Sequence, residues 1–154
     1  MRFYEDFHVG VAREVGSHEV TRDEIVDFAR QWDPRPFHLD EEVAARSVFG
    51  SLSASSCHTY ALTARITFES GDDVAAAANL KTELRFPSPV RPGDRVTLVS
   101  ECVEKRLSRS HPGLGIVTGT SRLLNQDGVA VLVMETISMI RTRESPGEYA
   151  EEMD

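Results

Sequence analysis

The spacing of apolar residues changes near the middle of the chain, from a helical period to a strand-like pattern. The clearest helical stretch is "VTRDEIVDFARQW", residues 20–32, whose apolar side chains recur three or four positions apart. We expect these side chains on its buried face: Ile25, Phe28, Ala29 and Trp32. Thr21 is a suitable N-cap, and Glu24 stands where a capping box requires it. Pro34 and Pro36 predict the end of the helix, because proline lacks an amide hydrogen and restricts the residue before it.

Two further helices are predicted before the pattern changes. "DEEVAARS", residues 40–47, is short and carries acidic residues at the positive end of its dipole. "SCHTYALTARITFES", residues 56–70, is a moderately apolar helix candidate that Ser55 or Ser56 could cap. "GDDVAAAA", residues 71–78, is ambiguous, and we expect a loop or a fraying turn there.

Four strands are predicted from residue 79 onward, because threonine, valine and isoleucine are enriched there. They are "NLKTELRF" (79–86), "DRVTLVSECVEKRL" (94–107), "GIVTGTSRLLNQ" (115–126) and "VAVLVMETISMIRTR" (129–143). The Asp-Gly pair in "NQDG" is a strong hairpin signal between the last two. Helices followed by a run of long antiparallel strands predict an α+β fold, in which one central helix packs against a strongly curved sheet.

Composition narrows the classes of protein. The 154 residues predict one domain, residues 1–143, and an acidic, disordered tail, residues 144–154. The formal net charge of −8 argues against nucleic acid or an anionic membrane as partner. Since the chain has neither a signal-peptide pattern nor 18 consecutive apolar residues, we expect a soluble, cytoplasmic protein. Cys57 and Cys102 fit neither a disulfide framework nor a zinc site, and are predicted to be reduced, buried thiols.

The segment "WDPRPFHLDEE", residues 32–42, carries the candidate chemistry. Asp33 and His38 are five residues apart, and Pro34 and Pro36 limit their relative motion. Taken alone, the segment is typical of a helix-ending turn in which the aspartate acts as a cap. It also fits a preorganised acid–base pair that could hold one water between the two side chains.

The order of these pieces resembles the MaoC-like, (R)-specific enoyl-CoA hydratase branch of the hotdog fold. That family's signature has six successive positions. The first is an aspartate, the second can be any residue, the third is usually an asparagine, and a proline, an apolar residue and a histidine follow. Residues 33–38 align with this signature. Phe49 and Gly50, followed by "SLSASSCHT", match the next block, and "PVRPGD", residues 89–94, matches a strand-initiating turn. The resemblance extends from "FYEDFHVG" to "SMIRTR", nearly the whole chain.

The resemblance implies a single hotdog domain that hydrates a 2-enoyl-CoA, or dehydrates the (R)-3-hydroxyacyl-CoA, without metal or other cofactor. It implies that Asp33 and His38 transfer protons to and from the reacting water. The backbone amides of Ser56 or Cys57, at the start of the central helix, would bind the thioester oxygen. The basic residues available for the CoA phosphates are Arg35, Arg85, Lys105, Arg106 and Arg109. Hotdog domains pair, so a homodimer or higher homo-oligomer is expected.

Two residues depart from the family pattern. Arg35 replaces the usual asparagine, and Ser56 replaces a glycine that helps the backbone approach the thioester. Serine keeps the amide but adds a side chain and disfavours positive φ. A non-catalytic acyl-CoA-binding or partner subunit therefore stays open as an alternative. A hotdog thioesterase is another, because that chemistry also uses a carboxylate and the same helix terminus. His58 is expected to pack or cap within the central helix rather than to catalyse. The remaining histidines are expected at the surface: His8, His18 and His111.

Overall fold

The computed structural model of the chain describes residues 1–145 and Gly147. The predicted order, helices followed by a run of strands, is confirmed from residue 22 onward, and one strand that was not predicted precedes the first helix. The helices are α1 (Arg22–Trp32), α2 (Glu41–Ala45) and α3 (Ser56–Glu69), with short 3-10 turns at Tyr4–Asp6 and Pro36–His38. The strands are β1 (Ala12–Glu19), β2 (Ala76–Arg85), β3 (Arg95–Leu107), β4 (Leu114–Leu124) and β5 (Ala130–Arg141). Of the predicted tail, residues 144–154, only Glu144, Ser145 and Gly147 are among the described residues.

The five strands form one curved antiparallel sheet in the order β1-β3-β4-β5-β2. All four predicted strands are present, and the hairpin signal is confirmed, since the amide of Gly128 donates to the carbonyl of Asn125 over 3.0 Å. The loop expected at residues 71–78 is wrong in its second half, because β2 already begins at Ala76. The alanines at the start of β2 have little strand preference of their own, and the segment is extended because it pairs with β5 from Ala76 onward. The sequence did not predict β1, which is mostly polar.

Helix α3 lies against the sheet and forms the centre of the core. Leu62 and Ile66 are each 1% exposed and belong to a cluster with apolar residues of β3, β4 and β5. These are Val96, Leu98, Leu123, Val131 and Leu132. Strand β1 approaches α3 closely at Gly16, where an added Cβ would lie 3.2 Å from Cγ2 of Ile66. The small residue at this position therefore lets β1 pack beside the helix.

Side-chain caps fix where the three helices begin. The hydroxyl of Thr21 accepts from the amide of Glu24 over 3.2 Å, as predicted, and the carboxylate of Asp40 accepts from Val43 over 2.9 Å. Ser55, one of the two predicted caps of α3, accepts from the amide of His58 over 3.3 Å. Helix α3 consequently starts at Ser56. Among the described residues, no helix combines the length and apolar character needed to cross a membrane.

We expect Leu62→Ala to destabilise the domain by about 2–5 kcal/mol, because it deletes a buried side chain between α3 and the sheet. Urea unfolding would measure the loss. The matched control is Leu107→Ala at a 60% exposed leucine, which should change the unfolding free energy little. Equal losses for the two variants would contradict the central position of α3.

Candidate active site

Asp33 and His38 meet at the end of α1. Asp33 is the C-cap residue of α1, and its amide donates to the carbonyl of Ala29 over 2.9 Å. Pro34 requires an extended φ at Asp33, which is −152°, and Pro36 begins the 3-10 turn that ends at His38. The chain thus turns back within six residues. Nε2 of His38 lies 3.7 Å from Oδ2 of Asp33.

The imidazole of His38 is held from its other side. Its Nδ1 lies 2.7 Å from the carbonyl oxygen of Ser53, which can only accept, so Nδ1 carries the hydrogen. Neutral His38 therefore presents the lone pair of Nε2 toward Asp33. The histidine side chain is 6% exposed and the aspartate side chain 16%. The separation of 3.7 Å exceeds a direct hydrogen bond, and one water at ordinary hydrogen-bond length can contact both atoms.

Ser53 also connects this pair to the start of α3. Ser53 is fully buried, and its hydroxyl has no hydrogen-bond partner within the described part of the chain. Three residues later, Ser56 and Cys57 form the exposed first turn of α3, where backbone amides lack partners within the helix. The expectation that Cys57 is buried is wrong, because this face of α3 is open to solvent; Cys102 is buried as predicted.

Ser56 is compatible with the backbone in this loop. No residue other than glycine has a positive φ in the described part of the chain, and Ser56 has helical geometry as the first residue of α3. The serine therefore causes no backbone strain, which removes the conformational objection to its replacing glycine. Its exposed side chain still adds bulk beside the amides.

The candidate CoA contacts fall at opposite ends of the sheet. Arg35 stands beside the pair, with Nε 3.3 Å from Oδ1 of Asp33. Arg85 ends β2 and pairs with Glu135 over 3.7 Å. Arg106 lies near the far end of β3, roughly 35 Å along the strand from its beginning at Arg95. Arg109 follows in the turn after β3, and Lys105 precedes it with Nζ 3.2 Å from the carbonyl of Tyr4. Of these five residues, Arg35 alone contacts Asp33 or His38 within the described part of the chain.

A large cavity beside α3 does not contain this pair. It has a volume of about 680 Å³ and lies between the second half of α3 and the concave face of the sheet. Thr63, Ala64 and Thr67 line it from the helix, and Ser100 and Ser121 from the strands. We place the candidate site at Asp33 and His38, because among the described residues that line the cavity no histidine lies at ion-pair distance from a carboxylate.

A second polar cluster was not recognised in the sequence. The carboxylate of Glu24 lies 3.0 Å from Nε2 of His18 and 3.4 Å from Nε2 of His58. The ring of His58 stacks on Phe28, with centroids 4.5 Å apart, which confirms that His58 packs against a neighbouring helix. The expectation that His18 is a surface histidine is wrong, because β1 carries it against α1 and α3. In the sequence, Glu24 was interpreted only as part of a capping box. In the structure its amide donates to Thr21, whereas its carboxylate contacts His18 and His58.

Burial and pairing shift the pKa values in this cluster. Burial lowers the pKa of His58 below its ordinary 6.5 and outweighs the opposing effect of Glu24. Burial tends to raise the pKa of Glu24, but hydrogen bonds and charge from His18 and His58 hold it below 4.5. Both shifts favour folding at neutral pH and oppose it in acid. The contribution of His58 is lost as the pH falls below 6.5, and that of Glu24 as the pH falls below 4.5.

We expect His58→Gln to flatten the pH dependence of stability. Between about pH 7.5 and 5.5, the unfolded wild type takes up a proton at residue 58 that the folded state resists, so the wild type loses stability. Glutamine cannot titrate and keeps an N–H for Glu24. Urea unfolding at several pH values would measure the free energy of both proteins. Parallel curves for the two would show that His58 does not contribute.

The described residues contain no group of three or more histidine, cysteine, aspartate or glutamate side chains placed to hold a metal ion. The expectations that the protein uses no metal and no other cofactor stay predictions. The same holds for the assignment of catalytic and substrate-binding roles to individual residues.

The chain resembles several known proteins along most of its length. It matches the MaoC like domain family over residues 9–121. The crystal structure of the MaoC-like dehydratase from Rhodospirillum rubrum is 38% identical, with a TM-score of 0.86, and the match covers 93% of this chain and 99% of that one. This likeness confirms the expected hotdog fold.

Two curated relatives match as well. The uncharacterized protein YdeM of Bacillus subtilis is 31% identical over 140 residues, 89% of this chain and 97% of the relative. The 3-hydroxybutyryl-CoA dehydratase of Methylorubrum extorquens is 30% identical over 133 residues, 84% of this chain and 82% of the relative.

Proposed function

This chain belongs to the MaoC like domain family, and we propose that it is a hydro-lyase that adds water to a 2-enoyl-CoA and removes water from the (R)-3-hydroxyacyl-CoA. The observation that carries the proposal is the approach of His38 to Asp33, with Nδ1 of the imidazole engaged by the carbonyl of Ser53. The dehydratase relative from Methylorubrum extorquens supports the reaction class. The (R) configuration rests on the resemblance of the sequence to the (R)-specific hydratases.

Asp33 and His38 would act on one water. The carboxylate and the Nε2 lone pair are both acceptors, so one water can donate one hydrogen to each and direct an oxygen lone pair toward C3 of the substrate. As the C3–O bond forms, one of the two side chains takes a proton. The Asp33/His38 pair then gives one proton to C2 of the enolate and returns to its starting protonation state, so the hydroxyl and hydrogen of one water are added across the double bond with no change in oxidation state.

The start of α3 would stabilise the charge that develops on the thioester oxygen. The amides of Ser56 and Cys57 have no partners within the helix, and the positive end of the α3 dipole favours a partial negative charge there. Preorganised donors of this kind contribute most when the charge forms during the reaction rather than in the bound substrate. Ser56 preserves this arrangement because only its backbone is required.

The cavity beside α3 is a candidate chamber for the end of the acyl chain. Ala64 stands eight residues after Ser56, about 12 Å along a helix. A thioester bound at Ser56 would need an acyl chain longer than crotonyl to reach Ala64. Arg35 is the first candidate contact for the CoA phosphates within the same chain, because its guanidinium lies beside Asp33. Arg85, which pairs with Glu135 at the end of β2, is a second candidate.

We also propose a homodimer that uses the edge of the sheet formed by β2. Most residues of β2 are exposed, and Leu80 on that strand is 53% exposed. An exposed edge strand with apolar side chains favours pairing with a second chain. Light scattering after size-exclusion chromatography would give the mass of two chains; the mass of one chain at micromolar concentration would contradict the dimer.

The reaction is tested with purified protein and a series of 2-enoyl-CoA substrates, from crotonyl-CoA to longer chains. Loss of enoyl-thioester absorbance, together with a product heavier by one water, is the expected result. Release of free CoA without hydration, detected with a thiol reagent, would favour a thioesterase. Tight binding without any product would favour a binding subunit. A folded protein that is inactive on every chain length would refute the proposed reaction.

A further inference from the structure

Arg91 joins the turn before β3 to the loop that precedes α3. Its Nη2 donates to the carbonyl of Phe49 over 2.7 Å, and its Nη1 donates to the carbonyl of Ser51 over 3.3 Å and to the Ser51 hydroxyl. Within residues 1–145 and 147, no carboxylate lies at ion-pair distance from this guanidinium. The guanidinium of Arg91 therefore serves as a fork of donors for loop oxygens rather than as a partner for an acid.

The loop that Arg91 holds is the one that orients His38. Two residues after Ser51, the carbonyl of Ser53 accepts from Nδ1 of His38 over 2.7 Å. The amide of Ala54 donates to the carbonyl of Val90 over 2.9 Å and anchors the far end of the loop. The carbonyl of Ser53 thus lies between two anchors, one made by a backbone bond and the other by the side chain of Arg91.

A second contact connects Arg91 to the same histidine. Phe49, whose carbonyl Arg91 binds, packs its ring 5.5 Å from that of Phe37 and 6.3 Å from the imidazole of His38, between centroids. The guanidinium therefore fixes both the residue whose ring neighbours His38 and the loop whose carbonyl selects its tautomer. No other arginine in the described part of the chain donates to this loop.

We propose that Arg91 is a positioning residue that holds His38 as the Nδ1–H tautomer, with Nε2 facing Asp33, by fixing the loop from Phe49 to Ser53. Arg91 acts through the loop and does not touch the reacting atoms. The catalytic consequence rests on the proposed function, whereas the effect on the tautomer of His38 does not. A lysine at this position offers a single ammonium in place of the planar fork, and so reproduces only part of the arrangement.

The test is the tautomer of His38, read from long-range ¹H–¹⁵N spectra of protein with labelled histidine rings. The spectrum of His38→Asn identifies the signals, since that variant lacks them. In wild-type protein at a pH where the ring is neutral, we expect the Nδ1–H tautomer. Arg91→Gln should give a mixture of tautomers, and Arg91→Lys an intermediate spectrum. The matched control is Arg95→Gln. Arg95 begins β3, four residues after Arg91, and its guanidinium donates to the Ser17 hydroxyl over 2.6 Å rather than to the loop before α3.

Hydration kinetics provide the second readout. If the wild type hydrates an enoyl-CoA, Arg91→Gln should lower kcat by about 100-fold and change KM by less than about threefold, because a misplaced catalytic group costs rate rather than binding. A wild-type tautomer in Arg91→Gln would overturn the inference, as would a kcat equal to that of Arg95→Gln. If Arg91→Gln does not fold, Arg91→Lys decides by the same criteria. An inactive wild type would refute the proposed function while the spectra still test the role of Arg91.

Discussion

Asp33→Asn is expected to lower kcat for hydration of a 2-enoyl-CoA by about a thousandfold while the fold stays intact. Asparagine has nearly the same shape but cannot take up a proton at neutral pH, and its amide donates where the water requires an acceptor. The amide of residue 33, which closes α1 by donating to Ala29, is unchanged. Since the fold is kept and only the proton acceptor is removed, we expect kcat to decrease.

Stopped-flow or steady-state absorbance at the enoyl-thioester band would give the rate, and circular dichroism would confirm the fold. The matched control is Asp27→Asn, on the same helix, where the carboxylate is exposed and pairs with Arg30. That variant should keep the wild-type rate. An Asp33→Asn protein with the wild-type kcat would remove the carboxylate from the mechanism.

His38→Ala is the second large expected effect, again a loss of about a thousandfold or more in kcat. It also leaves the buried carbonyl of Ser53 without its donor, which should cost about 1–3 kcal/mol of stability. His38→Asn separates the two consequences. An asparagine amide can replace Nδ1–H as donor to Ser53 but has nothing in place of Nε2, so it should restore stability without restoring the rate.

Urea unfolding and hydration rates measured on both variants would test this separation. His111→Ala, at an exposed histidine outside both the candidate site and the lining of the cavity beside α3, is the control and should change neither quantity. Recovery of activity in His38→Asn would show that Nε2 is not required. A rate loss in His38→Ala that disappears when the protein is stabilised by osmolytes would assign His38 a structural role alone.

The sequence predicted the parts of this molecule whose structure depends on local signals. Thr21 and Ser55 cap their helices as expected, and Pro34 and Pro36 bring Asp33 and His38 together, because proline geometry acts on adjacent residues. The hairpin at "NQDG" follows from its Asp-Gly pair for the same reason.

Features that depend on distant partners were not predicted. Strand β1 has little apolar alternation of its own and forms because β3 offers a pairing edge. Trp32 was expected on the buried face of α1, yet it is 66% exposed, since the helix ends there and leaves the core. The bonds from Arg91 to Phe49 and from His38 to Ser53 join loops far apart in sequence, and no spacing rule signals them.

The most direct test of the central claim, that Asp33 and His38 act together on one water, is the rate of the double variant Asp33→Asn/His38→Asn on the best 2-enoyl-CoA substrate. If the two side chains work as a unit, removing either abolishes the shared function, and the second substitution costs little more. We expect a kcat/KM for the double variant within a few-fold of that of the slower single variant. A double variant whose loss equals the product of the two single losses would contradict it.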